Sequence, residues 1–264
     1  LDGIFEYEHP FVCTDAAVFT IKTIEPDSYR KLPETILRVL LYQRAVEPHM
    51  GKWCLPGGFL SIDELPEDNI RRKISEKSRV DKCWLEQLYT FCDLDRDPRA
   101  RVISITYLGL MEEAESAKFD NEPIWFTVRH GTERHSDIQH EAGEHGAEHH
   151  NDSPHASGQH VDIYAPELSI DGVALAERDF GFDHYGIIKL ALERLRSKII
   201  YTDIIFNLLP REFTLTQMQN VYEAILGKKD QPANFRRKIM DMVSESGRHT
   251  ADKGHRPAKL YTKR

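Results

Sequence analysis

Apolar and polar positions fall into blocks that predict strands and helices in mixed order over the first half of the chain. Residues 16–23 and 36–42 are β-branched or apolar runs of strand length, 102–110 is a longer one and 124–128 a shorter one. The Leu55-Pro56-Gly57-Gly58 segment reads as a turn. Residues 64–77 carry apolar positions at helical spacing, with Asp63 as a candidate N-cap and Pro66 near the first turn. This mixture predicts an α/β or α+β domain.

The pattern stops at residues 129–160, which are rich in Gly, Ser, Asp, Glu and His and nearly free of aliphatic side chains. A segment of that composition buries too little surface to offset its ordering entropy, so it is expected to be an exposed, mobile insertion. Eight of the 13 histidines lie here, and His145, His149 and His150 could bind zinc or nickel; the competing reading is a solvated loop that takes metal adventitiously. Structure is expected to resume near Val161.

Helical periodicity returns at Asp183, a candidate cap, with Ile187, Ile188, Ala191, Leu192, Leu195 and Ile199 on one stripe. Residues 183–198 are therefore expected to link a first domain, 1–182, to a second, 199–264. In the second, 199–209 predicts an apolar helix stopped by Pro210. Thr214 and Gln217 form a capping-box pattern ahead of a helix over 215–226, which Gly227 ends. Pro232 suits the first turn of a third helix over 232–243, and 246–261 reads as a two-stranded wing turning near Asp252 and Gly254. Helix, helix, turn, helix, hairpin is the order of a winged helix-turn-helix.

Charge sharpens this division. Residues 194–264 hold 15 Lys/Arg and 7 Asp/Glu, net +8; subtraction from the totals of 35 and 43 leaves 20 and 36, net −16, for residues 1–193. A basic module on an acidic body fits nucleic-acid binding, and equally a solvated basic tail. The third helix favours the former. At ~100° per residue, Phe235, Ile239, Met242 and Val243 share one face, Asn234 and Arg237 point away, and Arg236 and Lys238 flank them. Asn and Arg can read adenine and guanine edges in the major groove, while the flanking cations and Arg256, Lys259 and Lys263 of the wing would meet phosphates.

No apolar run reaches membrane-span length, the first residues carry acids instead of a basic leader, and Cys13, Cys54, Cys83 and Cys92 show no C-x-x-C spacing. A cytoplasmic protein with reduced thiols is expected.

Residues 58–80 resemble the Nudix box, G-x5-E-x7-R-E-U-x-E-E-x-G-U with U aliphatic. Gly58, Glu64, Arg72, Ile74, Glu76 and Val80 match, and the approach Trp53-Cys-Leu-Pro-Gly-Gly-Phe59 is similar to that of the family. The departures are Lys73 and Lys77 at acidic positions and Arg79 at the glycine. The resemblance implies that relatives hold Mg²⁺ on this helix face through carboxylates; here Lys73, Glu76 and Lys77 give +1 in place of −3. Hard divalent cations need clustered oxygen ligands, so the metal site and efficient hydrolysis are expected to be lost. The lysines could instead favour an anionic diphosphate.

The wider chain resembles the Nudix-related transcriptional regulators of NAD metabolism, NrtR. Residues carrying this include 85–91, Arg96-Asp-Pro-Arg99 with Arg101, Phe182-Asp-His184, 208–214, 221–227, 234–238 and 256–261. The resemblance implies an α+β fold, a Nudix-like α/β/α sandwich followed by a winged helix-turn-helix. It further implies a homodimeric repressor that binds double-stranded operator DNA and responds to ADP-ribose or a related nucleotide, with no required cofactor. The expected pocket lies near Arg44, Gly57, Gly58, Arg99 and Arg101, with Lys73, Glu76 and Lys77 near the diphosphate. Two rivals are a Mg-dependent Nudix hydrolase of ADP-ribose with an accessory domain and a His-rich metal-responsive regulator.

Overall fold

A computed structural model describes residues 8–24, 33–78, 82–113, 124–130, 166–170, 172–250 and 257–264. The histidine-rich stretch from 131 onward, Arg79, Val80 and Arg256 lie outside these residues.

The first domain is built on β1 (Phe11–Ile24), β2 (Glu34–Gln43), β3 (Trp53–Cys54), β4 (Gly57–Phe59), β5 (Trp84–Phe91), β6 (Val102–Leu110), β7 (Ile124–His130), β8 (Pro166–Ile170) and β9 (Val173–Leu175). They form one mixed sheet in the order β5-β6-β1-β2-β7-β8-β9, with β3 on β2 and β4 on β1. β1 is central and buried from Cys13 to Ile21. Its alternate side chains serve opposite faces, as a period of two requires. Ala16 and Val18 pack with Ile70 and Ile74 of α1 (Pro66–Ser78). Ala17, Phe19 and Ile21 pack with Ile187, Ala191 and Leu195 of α2 (His184–Lys198). The result is the expected α/β/α sandwich.

Several bounds differ from the sequence expectations, most of them through partners distant along the chain. The Gly57-Gly58 turn is instead strand β4, because Gly57 and Gly58 pair with Asp15 and Thr14. α1 begins at Pro66, not 64, and Asp63 does not cap it; Asp63 lies in the preceding turn, where the Glu64 N–H bonds Ser61 O at 3.2 Å. Residues 129 and 130, assigned to the insertion, complete β7 by pairing with Glu167 and Pro166. Asp183 occupies the N-cap position of α2 without a side-chain cap bond, its carboxylate being held by Arg96.

The second domain contains a short 3-10 helix (Ile204–Leu208), α3 (Leu215–Leu226), α4 (Pro232–Ile239), and a wing of β10 (Val243–His249) and β11 (Lys259–Lys263). The expected helix over 199–209 is interrupted. The Thr202 hydroxyl and N–H both donate to Lys198 O, at 2.7 and 2.9 Å, and beyond this turn only the short 3-10 helix forms. The Thr214–Gln217 capping box forms in both directions, at 2.8 and 3.1 Å, and Gly227 closes α3 with φ 66°. α4 is shorter than the expected 232–243 because β-branched Val243 joins the ladder opposite Lys263. The buried cluster is continuous from the sheet through α2 to Phe213, Ile225 and Phe235, so the two domains share packing.

Candidate ligand cleft and nucleic-acid interface

Above β1 and β4 lies a cleft of about 220 Å³, with Asp15, Arg44, Gly57, Gly58, Arg99 and Phe182 among its lining residues. Its floor is a polar network planted in an apolar strand. The Asp15 carboxylate accepts from Ser104 Oγ at 2.6 Å and lies 3.5 Å from the Arg96 guanidinium, which is 3% exposed. Arg96 in turn grips both oxygens of Asp183 at 2.9 and 2.8 Å. His184 Nδ1 accepts the Leu55 N–H at 3.0 Å, so its proton sits on Nε2, 3.6 Å from Asp15 Oδ1. Burial pushes the imidazole below its usual range, against Asp15 and Asp183, which favour charge.

Gly57 is required here. A Cβ at that position would lie 2.0 Å from Asp15 Oδ1 and 2.4 Å from Thr14 O. The β1–β4 pairing brings the backbone this close to the carboxylate.

The mouth is cationic and aromatic. Arg44 and Arg99 stack on the Phe182 ring at 5.0 and 5.8 Å, and Arg99 also covers Phe59 at 5.4 Å. Phe182 has φ 54°, a left-handed conformation that costs energy for a side chain this large. In this conformation its ring lies beside His49 and His184, at 4.6 and 5.4 Å. Burial raises the Tyr42 phenol to about 12 and the Cys13 thiol to about 12, so both remain neutral near pH 7.

Of the expected ligand residues, Arg44, Gly57, Gly58 and Arg99 line this cleft. Arg101 does not: it is exposed, and its guanidinium is spent on Cys92 O and Asp93 O at 2.7 and 2.9 Å. Lys73, Glu76 and Lys77 are not lining residues either. The Lys73 stem lies against Gly58 and Lys77 Nζ sits 4.4 Å over the Tyr42 ring, so each lysine touches the cleft through one neighbour. Glu76 faces away into ion pairs with Lys73 at 2.9 Å and Arg72 at 2.7 Å. Arg72 also takes both oxygens of Glu64 at 2.8 Å each, holding that carboxyl down to about 2. The remaining box acids Glu64 and Glu76 are thus both engaged by Arg72. Asp15 and Asn69 also belong to the site, although no motif points to them. Asn69 is fully buried and ties α1 to Thr14, Phe59 O and Glu64. A carboxylate inside an apolar strand was the available signal for Asp15; Asn69 had none.

On the second domain, α4 buries Phe235 and Ile239 and exposes Asn234, Arg236, Arg237 and Lys238. Arg237 reaches Asn234 Oδ1 at 3.3 Å, presenting a joined Asn–Arg surface. Lys259 and Lys263 are exposed on the wing, whose strand bulges at Gly247, φ 77°.

Residues 205–262 match the family model described as the NrtR DNA-binding winged helix domain, and residues 33–142 match that of the NUDIX domain. The first domain thus matches the NUDIX model and the second the NrtR winged helix model. The chain is 27% identical over 264 residues to the ADPR responsive transcriptional repressor NtrR of Acinetobacter baylyi, covering 97% of this chain and 83% of that protein. The structure of Shewanella oneidensis NrtR complexed with a 27mer DNA aligns with TM-score 0.62 and 28% identity, over 96% of this chain and 93% of that one. An ADP-ribose pyrophosphatase of Methanocaldococcus jannaschii is 32% identical over 117 residues, which cover 42% of this chain and 60% of that protein. This last similarity concerns less than half of the chain. The NUDIX domain thus carries the cleft and the winged helix domain the exposed α4 surface. Among the described residues no helix is long and apolar enough to cross a membrane.

Proposed function

We propose that this chain is a cytoplasmic, homodimeric transcriptional repressor of NAD-metabolism genes. Its winged helix domain binds operator DNA, and its NUDIX cleft takes ADP-ribose or a related nucleotide as effector without a required cofactor. The observation that carries this reading is the position of α2. Its N-cap Asp183 and first residue His184 belong to the cleft network, and Arg196 in its last turn donates to Ile225 O of α3 at 3.1 Å. One helix therefore touches both functions. The ADPR-responsive repressor from Acinetobacter and the DNA-bound relative from Shewanella support the assignment.

The cleft chemistry agrees. Arg44 and Arg99, the latter also paired with Asp97 at 2.7 Å, offer cations to a diphosphate, Phe59 and Phe182 offer faces to a base, and Lys73 stands behind Gly58. Asn234 and Arg237 would read base edges and Arg236, Lys238, Arg256, Lys259 and Lys263 would meet phosphates. The similarity to an ADP-ribose pyrophosphatase favours a second reading, a hydrolase. Lys73 and Lys77 at acidic positions, with Glu64 and Glu76 engaged by Arg72, oppose it. A gel-shift with promoters of NAD-related genes, with and without ADP-ribose, tests the proposal: a retarded band that ADP-ribose dissolves is expected, and no retardation of any such promoter would defeat it.

A further inference from the structure

Several exposed cations of the winged helix domain already hold carboxylates. Lys259 Nζ donates to both oxygens of Glu245 at 2.9 Å each, Lys238 pairs with Asp230 at 2.8 Å, and Lys263 pairs with Asp203. The three lysine side chains remain 54, 69 and 53% exposed, so they face solvent while paired. Glu245 lies in β10 opposite Tyr261, whose hydroxyl it accepts at 3.4 Å. Arg237 differs: it donates to the neutral Asn234 carboxamide, and among the described residues no carboxylate lies within ion-pair distance of it.

Exposed pairs of this kind are weak, so a DNA phosphate can displace the carboxylate. The exchange has a consequence for salt dependence. An ammonium that meets a phosphate releases a condensed counterion. The carboxylate it leaves behind attracts a cation from solution. The two effects oppose each other, and the paired lysine adds little net driving force to sequence-independent binding.

We propose that Asp203, Asp230 and Glu245 are specificity-determining residues that hold down non-specific DNA affinity by occupying Lys263, Lys238 and Lys259. Selection among sequences then falls to Asn234 and Arg237, which among the described residues pair with no acid. The inference rests on the DNA-binding reading of the winged helix domain.

The test uses the full chain and a mixed-sequence duplex of about 30 base pairs, long enough for two half-sites a helical turn apart. Binding is followed by fluorescence anisotropy across a salt series. The variant Asp203→Asn/Asp230→Asn/Glu245→Gln keeps side-chain shape and removes the competing charges. The slope of log affinity against log salt is expected to steepen by about 0.9 per freed lysine, and affinity at low salt to rise by about tenfold or more. Glu67→Gln, which removes an exposed charge on the NUDIX domain, controls for net charge and should leave the slope unchanged. Glu245→Gln alone, expected to steepen the slope by about 0.9, serves if the triple variant folds poorly. An unchanged slope in a folded variant, or an equal change in the control, overturns the proposal while leaving DNA binding intact. A wild-type chain that binds no duplex even at low salt overturns both.

Discussion

Asp183 and Arg96, 87 positions apart in sequence, are joined by paired hydrogen bonds of 2.9 and 2.8 Å that fasten the start of α2 to the floor of the NUDIX cleft. Arg96 also lies 3.5 Å from Asp15. One guanidinium therefore balances two carboxylates, and its removal leaves both uncompensated in a largely buried site. Arg96→Ala is expected to cost about 3–5 kcal/mol, measured by urea unfolding. A loss under about 1 kcal/mol, the ordinary value of an exposed pair, would show that the network is solvated.

The neighbouring His184 sets a pH dependence. Burial keeps the imidazole neutral in the fold, while the unfolded chain protonates near pH ~6.5. As pH falls below that value the unfolded state binds more protons than the native state. Stability is therefore complete above about pH 6.5 and declines on acidification towards the lowered folded pKa. In His184→Asn the amide oxygen can take the place of Nδ1 opposite the Leu55 N–H, and the decline between pH 7.5 and 5.5 should be smaller than in wild type. Equal declines in the two proteins would remove His184 from the account.

Much of the second domain was legible because its signals are local. Thr214, Gln217 and Gly227 specify both ends of α3 within a few residues, and the period of Phe235 and Ile239 orients α4. The cleft was legible only in part. Gly57 and Gly58 read as a turn from their neighbours, whereas a strand more than 40 positions away makes them β4. Asp183 read as a cap because the pattern cannot show a distant arginine. Arg101 carried the right charge, yet nearby carbonyls of Cys92 and Asp93 claim it. Val243 continued a helical stripe, but pairing with Lys263 drew it into the wing.

Hydrolysis is expected to be negligible. With Mg²⁺ or Mn²⁺ the purified chain should not cleave ADP-ribose, since Lys73 and Lys77 repel the ion and Arg72 holds Glu64 and Glu76. Chromatography of the reaction products checks this, and turnover on the order of 1 s⁻¹ would restore the enzyme reading. Lys73→Glu/Lys77→Glu should raise Mg²⁺ affinity, which calorimetry would detect.

Arg237→Ala should lower affinity for a preferred sequence by about 1–3 kcal/mol and flatten the preference among bases at one position. Selection from a randomised DNA pool by wild type and variant reads this directly. The same preferred bases in both pools would mean that Arg237 touches only backbone.

The central claim is that cleft and DNA surface are coupled through α2. A ligand can shift DNA affinity only if it binds the DNA-free arrangement more tightly than the bound one, and continuity of a helix does not by itself supply that difference. In a dimer, a small tilt of each α2 would move the recognition helices off a half-site spacing of ~34 Å. The decisive measurement is an anisotropy titration of the full chain against a duplex it has selected from a random pool, with and without saturating ADP-ribose. DNA affinity is expected to fall by about 5- to 150-fold, a coupling of ~1–3 kcal/mol. Unchanged DNA affinity, with ADP-ribose binding verified by calorimetry in the same buffer, would contradict the coupling.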